Sequence, residues 1–507
     1  MNQVRIGIVL NYTLILLNVL VGLVYTPYML RMMGQSEYGL YSLVASVISY
    51  LTVLDLGFGN AIIRYTARFR AEGKQTEQYE MFGMFLVVYM IIGVVSFLAG
   101  LGLYFNVESI FGDTMSVAEL DKARIMMLLL TFNMAITFPF SVYGSIITAY
   151  EEFVFQKGLN IARTILNTVV MICLLTMGYK AIAMVVVQTV FNLLTLLINY
   201  IYCKRKLQIK VLFRNFKWAF LKEVAIYSFW IFLNVIMDRF YWNTGQFVLG
   251  IYSGTAAVAV FSVAMQLVHM YMMLSTAVNS VFLPKVSGMV AKNDNRTEIS
   301  NIFIKVGRIQ YIIIGLVLFG FIVFGRQFIA LWAGEGYEDA YGITILLFIA
   351  LFIPLIQNLG IVILQARNQM KFRSLLYIVI ATIGLLFQIL LAKKYGGMGC
   401  AIAIAVALLI GQGLVMNIYY KRKQGIDIVK FWKEILKMSI VPIVLTIASI
   451  FTIRDYDISS WGELALAIVI FCAIYIPLFW LFGMNKYERD LIKAPLQKIT
   501  QKIVGKL

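Results

Sequence analysis

Long apolar runs of about 20 residues, separated by short polar segments, recur along the whole chain. A run of this length crosses the hydrocarbon layer of a bilayer as one helix. Ten-residue alternating patterns are absent, and a helix satisfies its own backbone polar groups in lipid, so membrane strands are excluded. The pattern predicts an all-α polytopic membrane protein with about fourteen spans, at residues 7–30, 39–63, 81–105, 123–149, 159–178, 181–202, 223–250, 257–283, 304–326, 341–365, 374–393, 398–419, 438–453 and 463–483.

One pattern occurs twice. Residues 197–206 read LINYIYCKRK and residues 414–423 read LVMNIYYKRK, and each closes an apolar run with a basic cluster. Two similar halves are the usual construction of a transporter, with the substrate site between them. Because six spans return the chain to the same side, we expect the halves to be related by a pseudo-twofold axis along the membrane normal. The predicted domains are six-helix lobes at 1–210 and 211–425, then two added helices and a basic cytoplasmic tail at 426–507.

Composition and charge support this class. Hydrophobic residues make up 61% of the chain and charged residues 13%, well under the quarter typical of soluble proteins. With the N-terminus in the cytoplasm, most of the 43 Lys and Arg residues fall in cytoplasmic segments, which places both termini there. The basic residues are shared among many loops, so nucleic acid is not an expected partner. The four scattered cysteines indicate neither a metal site nor a disulfide framework.

The seventh predicted span carries a stripe of polar side chains. Arg239, Asn243 and Gln246 share one helix face, and Asn234, Asp238 and Tyr241 share the neighbouring face. Lipid penalises such groups, so the stripe is predicted to face a wet cavity between the lobes. Arg239 is the candidate contact for an anionic substrate, because its planar donors fit phosphate oxygens in pairs. The alternative is that Asp238 and Arg239 pair with neighbouring helices and serve only the fold.

Asp55, in the second span, is the other unusual charge. It precedes Arg64 by nine residues, about 13 Å along a helix, and therefore lies inside the membrane. Gly57 and Gly59 allow close helix approach or local unwinding. Asp55, like Asp238, is a candidate to bind a coupling H⁺ or Na⁺. It is equally a candidate for a structural pair with a basic residue such as Arg64.

The remaining polar residues of the spans are assigned structural roles. Hydrogen bonds between helices, and not contacts to substrate, are predicted for the smaller polar residues of the spans: Asn11 and Asn18, Ser42, Ser46 and Ser49, and Gln357 and Asn358. A second set lies near span ends and is predicted to extend its charged groups to the membrane surface as snorkelling anchors: Arg163, Arg308 and Arg326.

Two motifs carry a resemblance to a known family. Residues 27–41 read PYMLRMMGQSEYGLY and residues 54–60 read LDLGFGN. They resemble the Wzx-type polysaccharide or O-antigen flippases of the multidrug/oligosaccharidyl-lipid/polysaccharide exporter superfamily. The resemblance implies a non-enzymatic protein of the bacterial cytoplasmic membrane that moves undecaprenyl-pyrophosphate-linked oligosaccharides to the periplasmic leaflet for surface polysaccharide synthesis. It implies a basic central cavity, for which Arg31 and Arg64 would have to join Arg239. Polysaccharide polymerase and chain-length machinery are the further expected partners, beside the lipid bilayer.

The expected mechanism is alternating access, in which one lobe rocks against the other and the lipid tail stays in the bilayer. No cofactor is expected beyond a coupling H⁺ or Na⁺. The alternatives are a MATE-like cation-coupled drug or toxin exporter and a lipid II-type flippase. A membrane glycosyltransferase or polymerase would need catalytic acids on a sizeable external loop, and these loops are short. A channel would need a pore lined by a ring of like residues.

Overall fold

The computed structural model describes residues 3–216, 218–292, 295–367, 369–453, 456, 458–491 and 493. Within these residues all regular structure is helical and no β-strand occurs. The first α-helices are α1 (Gln3–Met33), α2 (Gln35–Ser49), α3 (Phe58–Ala71), α4 (Gln75–Phe111), α5 (Val117–Ala149), α6 (Phe153–Thr176), α7 (Ala181–Arg205), α8 (Trp218–Trp242) and α9 (Thr244–Tyr252). They are followed by α10 (Gly254–Lys292), α11 (Arg296–Ala333), α12 (Asp339–Ile356), α13 (Leu359–Ala366), α14 (Met370–Leu408), α15 (Met416–Tyr419), α16 (Ile428–Ile453) and α17 (Trp461–Leu478).

Twelve stretches of the described residues are helical, long and apolar enough to cross a membrane. One of them, Lys371–Gln424, has 54 residues and covers two predicted spans. The backbone turns there at Gly396, where φ is 55°. The predicted span 223–250 corresponds to α8 and α9 and is not one of the twelve. The all-α polytopic membrane fold is therefore confirmed, and the count of fourteen spans is not.

Several helices begin where the sequence supplies a capping side chain. At the start of α5, the backbone N–H of Glu119 donates to Ser116 Oγ and the Ser116 N–H donates to the Glu119 carboxylate. Ser460 and Glu463 make the same reciprocal pair at the start of α17. Such caps satisfy backbone donors that the first helical turn leaves open. The predicted span 123–149 begins six residues after the capped start of α5.

The chain forms two compact units. The first consists of Met1–Gln266 and Ser374–Ile404. Its core contains the aromatic side chains of Phe58, Phe85 and Tyr89, all buried on α3 and α4. Helix α4 packs closely along α5, and glycines on α4 permit this approach. A Cβ at Gly93 would lie 2.6 Å from the carbonyl oxygen of Ala135, a distance that real side chains do not tolerate.

The second unit consists of Leu267–Arg373 and Ala405–Leu507. Helix α11 is its centre and packs against α12, α16 and α17. Large aromatic side chains fill this core, with Trp332 and Tyr311 almost fully buried. The boundaries of these two units follow the packing of the helices and differ from those of the predicted domains 1–210, 211–425 and 426–507. The predicted division into domains stays a prediction. Most of the predicted basic tail, residues 494–507, lies outside the described residues.

Candidate functional site

The second span is interrupted at membrane depth. Helix α2 ends at Ser49, a 3₁₀ segment follows at Tyr50–Asp55, and α3 starts at Phe58. Leu56 and Gly57 both have left-handed backbone, with φ of 53° and 74°. Gly57 adopts this conformation without the steric cost that a Cβ imposes. The local unwinding predicted at the glycines is confirmed.

Hydroxyl side chains lead into this interruption. Ser46, Ser49 and Thr52 each donate to the carbonyl oxygen three residues earlier, at 2.8, 2.6 and 2.6 Å. Such bonds compete with the regular helical pattern and bend the helix. Irregular backbone within a membrane is tolerated only inside protein or beside a water-filled cavity. The interruption is therefore expected to lie inside protein or beside such a cavity.

A second interruption meets the first. Asn243 separates α8 from α9, and its Nδ2 donates to Ser49 Oγ at 2.9 Å. One residue further along each chain segment, the hydroxyls of Tyr50 and Thr244 lie 2.7 Å apart. The 3₁₀ segment also packs against α8. Paired discontinuous helices are the usual framework for binding sites in transporters, so this junction is the candidate site.

Most of the predicted polar stripe on α8 and α9 is engaged by neighbouring helices. The Tyr377 hydroxyl donates to Asp238 Oδ1 at 2.8 Å, and the Ser374 hydroxyl donates to Asn234 Oδ1 at 3.4 Å. Gln246 Nε2 donates to Ser262 Oγ at 3.0 Å. Tyr241 is buried and donates to the Ile404 carbonyl at 2.9 Å. These residues brace α8 and α9 within the first unit, and only part of each side chain remains available to a ligand.

Arg239 differs from the rest of the stripe. The side chain is half-buried, and its Nε is buried without a hydrogen-bond partner in the part of the chain that the structure describes. Asp238, next to it, is exposed. An unsatisfied guanidinium donor at this depth is costly unless a ligand or water satisfies it. Arg239 is thus the cationic group of the candidate site.

The other two predicted arginines are exposed, Arg31 at the end of α1 and Arg64 in the middle of α3. The Arg64 guanidinium lies 5.8 Å from the centre of the Tyr65 ring. Whether either residue contributes to a basic cavity stays a prediction.

Asp55 ends the 3₁₀ segment, and a neutral group is its partner. The hydroxyl of Tyr89 donates to Asp55 Oδ1 at 2.7 Å. The carboxyl group is half-buried between α3 and α4. This partner was not predicted, because the sequence suggested Arg64. A half-buried carboxyl held by a neutral donor can still accept a proton or a small cation, so the coupling role stays open.

The hydrogen bonds predicted between helices are present at Ser49, Gln357 and Asn358, whereas Ser46 donates to the Leu43 carbonyl within its own helix. Ser49 contacts Asn243, Gln357 Nε2 donates to Asn417 Oδ1 at 2.9 Å, and Asn358 Nδ2 donates to Ser275 Oγ at 3.0 Å. Each bond joins residues from different helices. The described residues contain no group of three or more His, Cys, Asp or Glu side chains that could hold a metal ion.

Two of the three predicted snorkelling anchors have other roles. Arg308 is only 4% exposed. Its Nε and Nη2 donate to the carboxylate of Glu488 at 2.5 and 3.0 Å, and its Nη1 donates to Glu434 at 2.8 Å. Arg163 is half-buried near the middle of α6. Arg326 is exposed, 5.9 Å from the centre of the Tyr341 ring, as an anchor would be. Position along a span did not reveal which arginines face protein.

Comparison with known proteins gives the family. The family profile described as "Polysaccharide biosynthesis protein" matches residues 4–290 of the chain. This chain belongs to that family. A "Putative O-antigen transporter" of Shigella flexneri is 19% identical over 77% of this chain and 92% of its own length. The "Uncharacterized membrane protein EpsK" of Bacillus subtilis is 20% identical over 96% of this chain and 97% of its own length.

Solved structures give the fold. The lipid II flippase MurJ in an inward closed conformation superposes with a TM-score of 0.72, at 16% identity, over 96% of this chain and all of that one. An inward-facing multidrug resistance MATE family transporter of the MOP superfamily gives a TM-score of 0.64 at 15% identity, over 82% of this chain and 99% of its own. The chain therefore shares the fold of these two membrane transporters.

Proposed function

We propose that this protein flips undecaprenyl-pyrophosphate-linked oligosaccharide repeat units from the cytoplasmic to the periplasmic leaflet of the bacterial inner membrane, by alternating access. The observation that carries the proposal is the family match over residues 4–290, on a chain whose fold is that of a lipid flippase. Both termini are then cytoplasmic, as the distribution of basic residues indicates.

The candidate site fits an anionic headgroup. The cargo carries a charged pyrophosphate and many hydroxyls, and moving them through hydrocarbon unaided is prohibitive because each unpaired polar group costs kilocalories. Arg239 supplies an unsatisfied donor for a phosphate oxygen. Asn243 and Asp238 lie beside it and can exchange hydrogen bonds with sugar hydroxyls. The unwound backbone at Tyr50–Asp55 packs against the same helix.

The driving force follows from charge. A membrane potential that is negative inside favours export of an anion, by about 2.3 kcal/mol per charge for each 100 mV. Exchange of H⁺ or Na⁺ at Asp55 or Asp238 is the second source of energy. If flipping in proteoliposomes proceeds at the same rate with and without a potential, the voltage contribution is refuted.

The deciding experiment measures flipping of a lipid-linked oligosaccharide by the purified full-length protein in proteoliposomes. Arg239→Ala should reduce flipping about 10–100-fold, since a hydrogen bond to a charged group contributes about 1.5–3 kcal/mol. Arg239→Lys should retain part of the rate, because it keeps the charge and loses the paired donors. Arg214→Ala, at an exposed position outside the described helices, is the control and should flip normally.

Two alternatives share this fold and are separated by their cargo. A MATE-like exporter would export cationic drugs, Asp55→Asn would reduce that export, and Arg239→Ala would not affect glycolipid flipping. A lipid II-type flippase would act on lipid II and leave surface polysaccharide unaffected. In the native host, deletion of the gene should cause lipid-linked repeat units to accumulate facing the cytoplasm. Undiminished surface polysaccharide after deletion would refute the proposal.

A further inference from the structure

A cavity of about 290 Å³ lies within the first unit, lined by α1, α2, α6 and α7. None of its lining residues belongs to α8 or α9, so it is distinct from the Arg239 site. Its polar lining consists of Tyr25, Tyr41, Arg163, Thr164, Asn167 and Gln188, with Thr168 beside them. The volume lies at the lower end of the range of about 300–1,000 Å³ found for ligand pockets and suits one sugar residue.

The charge of this cavity is positive and uncompensated. Arg163 lies near the middle of α6, half-buried, and no hydrogen bond or ion pair of the described residues engages it. Among the described residues that line the cavity, none carries a carboxylate. A guanidinium at membrane depth is costly without a counter-charge. An anionic group that entered the cavity would remove this cost.

Other polar groups in the cavity lack strong partners. Asn167 Oδ1 is buried and accepts no hydrogen bond, and its Nδ2 contacts only Met171 Sδ, at 3.7 Å. The Tyr25 hydroxyl donates to the sulfurs of Met171 and Met184, at 3.3 and 3.5 Å. Thioether sulfur is a weak acceptor. The amide oxygen needs a donor from a ligand, and the tyrosine hydroxyl would bond a ligand oxygen more strongly.

These groups together define the ligand. Arg163 and Asn167 are one turn apart on α6, so their side chains are neighbours, about 5–6 Å apart at Cβ. Arg163 requires an oxyanion, and the Asn167 amide oxygen requires a hydroxyl donor. An anion without a donor group, such as sulfate, satisfies Arg163 but presents only lone pairs to the Asn167 oxygen. A neutral sugar donates to Asn167 but leaves the charge of Arg163 without a counter-charge.

From this juxtaposition we infer that the cavity binds an acidic sugar residue of the cargo, one that carries a carboxylate or phosphate beside free hydroxyls. The inference rests on the proposed function and adds to it the class of repeat unit that the protein prefers. The Tyr41 hydroxyl, which donates to Gln188 Oε1 at 3.1 Å, leaves the Gln188 amide group available for a second sugar hydroxyl.

The binding test uses the full-length protein in lipid nanodiscs and follows its thermal unfolding by tryptophan fluorescence. The probes are D-glucuronate and D-glucose 6-phosphate as acidic sugars, with D-glucose and sulfate as controls. Both acidic sugars should raise the unfolding temperature, and the two controls should require at least about tenfold higher concentrations. Arg163→Gln and Asn167→Ala should abolish the acidic-sugar effect, Arg163→Lys should keep part of it, and Arg326→Gln should keep all of it. An equal effect of sulfate that is insensitive to Asn167→Ala would mean a simple anion site and would overturn the inference, as would no effect of any probe.

The transport test separates this inference from the proposed function. Wild-type protein and Arg163→Gln are compared in proteoliposomes that contain a lipid-linked oligosaccharide with a uronate residue or its neutral counterpart. Arg163→Gln should lower flipping of the acidic cargo at least about tenfold and leave the neutral cargo unchanged. If the wild type flips both cargoes and Arg163→Gln has no effect on either, the cavity inference fails and the proposed function stands. If the wild type flips neither, the proposed function itself fails.

Discussion

Replacing Arg308 by Ala is expected to lower the free energy of unfolding by about 3–5 kcal/mol, because it leaves a buried carboxylate without its partner. Glu488 is 2% exposed and receives two donors from Arg308, at 2.5 and 3.0 Å. The loss of Arg308 destabilises the charge on Glu434 less, because the Glu434 side chain is 28% exposed and Lys437 Nζ lies 3.2 Å from its Oε1. The cost therefore comes from the charge on Glu488.

A graded series tests this reasoning. Glu488→Gln removes one charge and leaves Arg308 paired with Glu434, so the expected loss is smaller, about 1.5–3 kcal/mol. The double variant Arg308→Met with Glu488→Leu removes both buried charges and should be more stable than Arg308→Ala. Glu72→Gln is the surface control. Its ion pair with Arg68 has a similar distance, 2.8 Å, but the Arg68 and Glu72 side chains are 59% and 32% exposed, so Glu72→Gln should have little effect on stability.

The assay is reversible chemical unfolding of the purified full-length protein in mixed micelles, followed by tryptophan fluorescence. Glu72→Gln should be the most stable of the three single variants, Glu488→Gln should be less stable, and Arg308→Ala should be the least stable. If Arg308→Ala unfolds at the same denaturant concentration as Glu72→Gln, the buried network does not stabilise the second unit as argued. A double variant less stable than Arg308→Ala would likewise contradict the charge-based account.

Two further predictions concern the first unit. Gly93→Val should destabilise this unit by about 1–3 kcal/mol, because the added side chain overpacks α4 on α5. Gly102→Val is the control and should not destabilise it, since a Cβ at Gly102 would meet nothing within 4 Å. Equal unfolding curves for the two variants would contradict the packing argument. Asp55→Asn should leave the fold intact, because the Tyr89 hydroxyl can donate to the amide oxygen, and should abolish any acceleration of flipping by an H⁺ or Na⁺ gradient. If that acceleration persists in the variant, Asp55 is not the coupling group.

Polar residues within the spans show where prediction from the sequence stopped. Helical spacing placed Arg239 and Asn243 on one face of the seventh predicted span, and the distance from Arg64 placed Asp55 at membrane depth. Spacing could not identify the partners of these residues, because a helix face says nothing about which other helix packs on it. Asn243 contacts Ser49 from the second span, and Asp55 contacts Tyr89 on α4. Arg239 and Asn243 were thus predicted, whereas Tyr50, Thr244 and the geometry of the junction were not.

The arginines make the same point more sharply. Arg163, Arg308 and Arg326 had similar positions near span ends, and a single role was predicted for all three. Tertiary packing separated them into a cavity residue, a buried ion-pair partner and an exposed anchor. The partner of Arg308 lies 180 residues away in the chain, beyond the reach of any local pattern.

What the sequence determined by itself was the class of protein. The bilayer requires every spanning segment to be apolar and to satisfy its own backbone, so length and hydropathy were enough to predict a polytopic helical membrane protein. The tertiary structure decided which spans break, which charges are paired and which polar groups remain open to a ligand. These depend on contacts between helices distant in the chain, and in lipid such contacts are made by packing and hydrogen bonding and not by hydrophobic pattern.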